Sequence, residues 1–245
     1  MNTTLKFGLA AAVVAVAVLI GLNYFGPTNL GGPGPDTSTP TPEPTATPEP
    51  TPSASLTART FDLSIPQSPI GIEVTVPSAF WSLDPGGGVI TSEGADPPAG
   101  AGAITFVDPG YYVYGDPCEW STTRPDTPAT TVDEVVAALS AQALREASAP
   151  VDITLDGYPG KSMTLHIPDD ADFASCDDGR FASWGVDGED PARWHQGPGQ
   201  IDTVWIVDVE GHLVIIDTAS YAGTPQNVVD ELKVIVESAT FSVRP

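Results

Sequence analysis

Two apolar runs separated by one short turn dominate the chain between Gln200 and Tyr221 (QIDTVWIVDVEGHLVIIDTASY). Ile201, Thr203, Trp205, Val207 and Val209 fall on one side of the first run, yet Val204 and Ile206 on the other side are apolar too. A strand apolar on both faces is covered on both faces. The second run, with Leu213, Val214, Ile215 and Ile216 in succession, has the same character, and Glu210-Gly211 supplies the turn, glycine accepting the positive φ that a two-residue loop needs. The pattern predicts a β-hairpin at the centre of a sheet.

Working outward, Thr60 to Ile65 and Ile70 to Val76 alternate with the strand period and predict a second hairpin, which Pro77 ends before Phe80-Trp81. Val89-Ile90 is a weaker strand and Ala103 to Val107 a better one. Thr130 to Ala147 predicts a helix: Thr131 and Glu134 have capping-box spacing, and Val132, Val135, Val136, Leu139 and Leu144 form an apolar stripe that ends before Pro150. Val151 to Leu155 and Lys161 to Ile167 predict a hairpin around Asp156 to Gly160. A polar excursion from Pro168 to Gly199 follows. Thr224 as N-cap and Pro225 at the first helical position open a second helix, with Val228, Val229, Leu232, Ile235 and Val236 inward, and Thr240 to Val243 closes the chain. The expected fold class is α+β: an antiparallel sheet of six to seven strands with two packed helices.

The first 57 residues are organised differently. Phe7 to Gly26 contains no charge, and 20 helical residues span about 30 Å, the thickness of a bilayer's hydrocarbon core. Residues 1–6 read as a cytoplasmic tail, 7–26 as a transmembrane anchor, 27–57 as a Pro/Thr-rich disordered linker and 58–245 as an extracytoplasmic domain. Lys6 before the apolar run and Asp36 as the first charge after it give this orientation. The competing reading is a signal peptide cut at Ala15-Val16-Ala17, which would leave a short apolar region. No cysteine follows the run to carry a lipid. The linker's Pro, Thr, Gly and Ser have nothing to bury and stay extended.

Charge narrows the partners. Of a formal net charge of -23, residues 1–57 contribute only through Lys6, Asp36, Glu43 and Glu49, so nearly all of it lies on the folded part. Such a surface repels phosphate backbones and anionic lipid headgroups, which argues against nucleic acid, and it favours cations and basic partners.

Candidate chemistry is sparse. Cys118 and Cys176 are the two cysteines, and outside the cytoplasm a single structural disulfide between them is expected. The alternative is a reactive or metal-binding thiol with His166, His195 or His212, whose spacing fits no motif. Gly160-Lys161-Ser162 lacks the glycine a phosphate-binding loop requires, because Leu155 occupies that position. Asp169, Asp170, Asp172, Asp177 and Asp178 could hold Ca2+, since hard cations take several carboxylates, although a solvated acidic loop is the plainer reading. No motif demands a cofactor. Tyr112, Tyr114 and Trp120 lie near one cysteine, and Trp184, Trp194 and His195 near the other. Brought together by a disulfide, they would form a patch able to stack sugars or hold a cation, or else a small core beneath a long loop. Ser, His and Asp are all present, but no G-x-S-x-G elbow or H-E-x-x-H helix occurs.

The P-x-x-x-W stretch from Pro77 to Trp81 and the final helix running into Ser238-Ala239-Thr240-Phe241 resemble PsbP-like domains across most of Phe61 to Val243. That resemblance implies an α-β-α sandwich on an antiparallel sheet. The segments DGYPGK (156–161), CDDGRFASW (176–184), GPGQ (197–200), WIVDVEG (205–211) and LVIID (213–217) are similar to a group of exported bacterial domains behind membrane anchors and Thr/Pro linkers. That group implies no chemistry and carries no catalytic residues to transfer. The expectation is a membrane-anchored, non-catalytic binding or sensing module of the cell envelope, with an envelope protein or glycan as partner. The alternatives are a cation-dependent envelope hydrolase and a structural scaffold on a stalk.

Overall fold

The computed structural model describes residues 58–65, 68–85, 88–92, 102–107, 110–187 and 189–244. The tail, anchor and linker expected at 1–57 lie outside the described residues. Among the described residues, no helix is long and apolar enough to cross a membrane.

The described strands are β1 (Arg59–Asp62), β2 (Ile70–Val76), β3 (Trp81–Leu83), β4 (Val89–Ser92), β5 (Gly102–Val107), β6 (Tyr112–Val113), β7 (Glu146–Ala147), β8 (Val151–Leu155), β9 (Tyr158–His166), β10 (Ala182–Val186), β11 (Glu189–Trp194), β12 (Ile201–Val209), β13 (His212–Ser220) and β14 (Thr240–Val243). Helix α1 (Val132–Ser140) lies between β6 and β7, and α2 (Gln226–Glu237) between β13 and β14. Every strand pairing is antiparallel.

The predicted central hairpin is β12–β13, in unbroken register from Ile201 opposite Ser220 to Val209 opposite His212. Glu210 and Gly211 turn it with φ of 54° and 87°, and Asp208 Oδ1 accepts from Gly211 N at 2.7 Å. It sits in the middle of an eight-stranded sheet ordered β3-β4-β5-β13-β12-β9-β7, with β8 also paired to β9. Two three-stranded sheets accompany it, β1-β2-β14 and β11-β10-β6.

The expected single sheet of six to seven strands is thus corrected to an eight-stranded sheet and two smaller ones. The β1–β2 hairpin forms as predicted, but it takes β14 as its third strand and leaves the main sheet. The polar excursion supplies β10 and β11, and two residues after α1 supply β7 as an edge strand.

Both faces of the hairpin are covered along most of its length, as the apolar runs require, although Ile201 at the open end is 41% exposed. Val204, Ile206, Leu213 and Ile215 pack with Val135, Val136 and Leu139 of α1 and with Tyr111 and Trp184 from the β11-β10-β6 side. Trp205, Val207, Val209, Val214 and Ile216 pack on the opposite face with Val228, Leu232, Ile235 and Val236 of α2 and with Ile72, Val74 and Val76 of β2. Each helix therefore covers one face of the central sheet.

The predicted capping box is present: Glu134 N donates to Thr131 Oγ1, and Thr131 N donates to Glu134 Oε2, both at 3.2 Å. Helix α1 nevertheless stops at Ser140, short of the predicted Ala147. Two side chains just beyond it turn into the protein. Gln142 Nε2 donates to Tyr114 O at 3.0 Å and Ser183 O at 2.7 Å, and Leu144 adopts a left-handed φ of 56° that sends Arg145 inward. Helix α2 has Pro225 as its N-cap, one residue later than predicted, while Thr224 Oγ1 accepts from Tyr221 N at 3.0 Å.

Candidate functional site

The disulfide forms. Cys118 and Cys176 are bonded with their Cα atoms 4.3 Å apart. It stitches the turn after β6 to the excursion, and the backbone reinforces it: Asp177 N donates to Cys118 O at 2.9 Å, and Ala182 N donates to Pro117 O at 2.8 Å.

The aromatic residues beside the two cysteines do not share one surface. Tyr114 and Trp120 are buried against each other with Ala182, their ring centroids 6.1 Å apart. Trp184 lies in the α1-side core, edge-on to Phe106 at 5.5 Å and Tyr111 at 6.3 Å. Tyr112 is buried under the Arg124 guanidinium, which stands 3.4 Å from its ring centre. Trp194 is the exposed member at 48%, with the Arg180 guanidinium 5.6 Å from its ring centre. His195 points inward.

The five aspartates of the excursion act separately. Asp172 Oδ1 accepts from Ala174 N at 3.1 Å and starts a 3-10 turn. Asp177 Oδ2 accepts from Ser121 N at 2.9 Å and Ser121 Oγ at 2.6 Å, bonds that hold its carboxyl below the usual range. Asp178 takes a φ of 51° in the second 3-10 turn, and Asp169 and Asp170 face solvent. Among the described residues, no group of three or more His, Cys, Asp or Glu is placed to hold a metal ion.

A different constellation lies beneath this end, and His195 is the one sequence candidate that belongs to it. Asp202 on β12 and Asp217 on β13 belong to the α1-facing rows of the hairpin, since Val204 stands opposite Asp217 and side chains alternate along each strand. The side chains they meet come from three other segments. Arg145 follows α1, Ser183 is on β10, and Arg193 and His195 stand at and just past the end of β11. All six are buried.

The bonds can be followed atom by atom. Arg145 Nη2 donates to Asp202 Oδ2 at 2.7 Å and to Leu165 O at 3.2 Å. Arg193 Nη2 donates to Asp202 Oδ1 at 3.0 Å, and its Nε donates to Asp217 Oδ2. Gln200 Nε2 donates to Asp202 Oδ1 at 2.5 Å. His195 Nδ1 is 3.1 Å from Asp202 Oδ2, while its Nε2 is 2.7 Å from Ser183 Oγ and 2.9 Å from Arg145 Nη1.

A guanidinium can only donate, so Nε2 of His195 accepts from Arg145; Nδ1 lies 3.1 Å from the Asp202 carboxylate and 3.0 Å from the Gln200 amide nitrogen, and the ring proton is assigned to Nδ1 on the strength of the carboxylate. Ser183 Oγ accepts from Arg145 Nη1 at 2.8 Å, which leaves its own hydrogen for Nε2. Serine, histidine and aspartate are therefore arranged in the sequence of an acyl-transfer triad.

Electrostatics decide what that arrangement can do. Burial pushes His195 down to about 3; Asp202 pulls the other way, and the guanidiniums of Arg193 and Arg145 add to the depression. Burial would raise Asp202, but His195, Arg193 and Arg145 outweigh it and hold the carboxyl below its ordinary value. Asp217 differs. Burial pushes it up to about 7 against the pull of Arg193, the negative charge of Asp202 adds to the push, and its Oδ1 has no hydrogen-bond partner.

A general base works best with a pKa near the working pH. His195 is far below it, and its lone pair already receives a bond from a cation. Ser183 is 0% exposed, so no substrate carbonyl can reach its Oγ in this conformation. The geometry is that of a triad, but the environment is that of a buried ion cluster.

Open space at this end lies on the other side of Phe181. A cavity of about 340 Å³ is bounded by the disulfide, Leu144, Phe181 and the excursion. The Phe181 ring separates it from His195, their centroids 5.8 Å apart and the rings edge to face.

No family model and no curated protein matches the chain. Among solved structures the chain is similar to LpqN, described as involved in cell envelope biogenesis of Mycobacterium tuberculosis, at 13% identity and a TM-score of 0.42, over 76% of this chain and 92% of that one. It is also similar to the cyanobacterial PsbP (CyanoP) of Synechocystis sp. PCC 6803, at 13% identity and a TM-score of 0.32 with the same coverage. The resemblance to PsbP-like domains expected from the Pro77 and Ser238 motifs is met again here. At such scores these likenesses say nothing about what this chain binds.

Proposed function

We propose that the folded domain is a non-catalytic, extracytoplasmic binding module of the bacterial cell envelope, recognising an envelope protein or glycan. The observation that carries the reading is the state of its one Ser-His-Asp arrangement among the described residues. Ser183 is sealed, His195 is held neutral, and Arg145 fills the position in which a base would take up a proton. The disulfide supports an oxidising compartment, and the acidic surface supports a basic or cationic partner.

The test treats the full-length chain, in detergent, with a fluorophosphonate probe and a panel of nitrophenyl esters. The expected result is no labelling and no hydrolysis above that of Ser183→Ala. Labelling of Ser183, or turnover that Ser183→Ala abolishes, would replace this reading with a hydrolase. If the immobilised chain then retains no purified envelope protein or glycan, the domain is a scaffold on a stalk.

A further inference from the structure

The cavity beside the disulfide has two kinds of wall. Phe181 is 1% exposed and lies deep, Leu144 forms the lip, and Ala171 and the Cys118–Cys176 bridge complete an apolar interior. Asp170 and Asp172 also line it, but both side chains face solvent. An apolar interior with carboxylates outside is complementary to an apolar group that carries positive charge on either side of it.

Leu144 is held in place at the edge of that interior. It is 51% exposed with a φ of 56°, a left-handed conformation unfavourable for leucine. The next residue explains how that cost is met: Arg145 is anchored by Ser183, Leu165 and Asp202. The buried cluster thus fixes Leu144, half exposed, at the edge of the cavity.

Size selects among basic, apolar partners. A volume of about 340 Å³ is near the floor of the range for small-molecule pockets, roughly 300–1,000 Å³, and takes one large side chain. With the carboxylates outside the interior, the positive charges belong on the residues flanking that anchor.

We infer that this cavity binds a peptide segment of an envelope protein in which one large apolar residue is flanked by Lys or Arg. The inference rests on the reading of the domain as a binding module and names its partner class.

The test is fluorescence anisotropy of the full-length chain with labelled peptides of the form Gly-Lys-Phe-Lys-Gly, Gly-Lys-Gly-Lys-Gly and Gly-Glu-Phe-Glu-Gly. The first is expected to bind saturably and at least about tenfold tighter than either of the others, as burial of one aromatic anchor and the change of charge sign each require. Leu144→Asn, a residue that tolerates left-handed φ, is expected to weaken binding about tenfold through loss of the apolar lip. Asp170→Asn should weaken it about threefold and reduce its salt dependence, whereas Asp126→Asn on an exposed loop should leave it unchanged. Urea midpoints confirm that each variant is folded. Equal binding of the Phe and Gly peptides, or undiminished binding by Leu144→Asn, would overturn the inference. If Ser183 remains unlabelled by fluorophosphonate in that case, the binding-module reading stands and only its partner class is wrong; labelling of Ser183 would overturn both.

Discussion

One hairpin has two different interiors. Toward its turn, β12 and β13 bury Ile206, Leu213 and Ile215 on the α1 face. At its open end, the same rows bury Asp202 and Asp217, bonded to Arg145 and Arg193. The apolar end is held by burial, which is non-directional and forgives a change of shape. The ionic end balances two guanidiniums against two carboxylates, and it stabilises only if every partner stays in place. The comparison shows how register is fixed. Both faces of the hairpin are apolar near the turn, so a slip of one residue costs little there, but it would swing Asp202 and Asp217 to the α2 face, away from both arginines. The chain contains six arginines, and two of them lie inside. A domain this acidic therefore places scarce positive charge where it specifies structure.

The largest expected effect is at the ionic end. Asp202→Ala leaves Arg145, Arg193 and Gln200 without their shared acceptor, and it should lower the unfolding free energy by about 5 kcal/mol, the upper end for breaking a buried pair; urea denaturation measures it. A loss under 1 kcal/mol would make the two ends equivalent.

Next in size is a dependence on pH. His195 stays neutral in the fold down to about 3 but protonates near 6.5 when unfolded, so in that window acid favours the unfolded chain. Asp217 protonates at about 7 in the fold and at 3.8 when unfolded, so in its window acid favours the folded chain. Between pH 3.8 and 6.5 the two oppose each other, and wild-type stability should be nearly flat. Below 3.8 Asp217 no longer compensates, and the depressed carboxyl of Asp202 adds to the loss. Asp217→Asn removes the opposing term, so that variant should lose roughly 3 kcal/mol from pH 6.5 to 3.8. Urea midpoints across that range read the difference, and parallel profiles for the two proteins would contradict it.

A smaller effect separates charge from packing. Replacing Arg193 and Asp217 together by Met and Leu should cost about 2 kcal/mol less than the sum of the single replacements, since each single change strands a buried partner. At the apolar end, Ile206→Val should cost only about 1 kcal/mol, and a loss matching Asp202→Ala would erase the contrast.

What the sequence discloses follows the range of the forces involved. The central hairpin, the capping box at Thr131 and Glu134, and the inward stripe of α2 are local patterns, and all are legible. So is the disulfide, because two cysteines allow only one internal bond. Strand β10 is buried at Ala182, Ser183, Trp184 and Gly185 alike, and with no alternation to betray it, it reads as loop. The early end of α1 depends on Gln142 and Arg145 finding partners far along the chain, which no local pattern records. Half of the ion cluster carried a usable signal: Asp202 and Asp217 share a face with Val204 and Ile215, and charge on a covered face demands a partner. The identity of that partner was not readable, because Arg145 and Arg193 come from segments outside the hairpin.

The claim on which the rest depends is that Arg145 and Asp202 lock His195 in its neutral Nδ1–H form as part of the framework. Long-range proton–nitrogen NMR of His195 between pH 4 and 8 observes this directly. A single neutral Nδ1–H tautomer, unchanged throughout and slow to exchange with water, is the expected result. A protonation midpoint near 6.5, or an Nε2–H tautomer, would contradict it and return the Ser183–His195–Asp202 set to the status of a working triad.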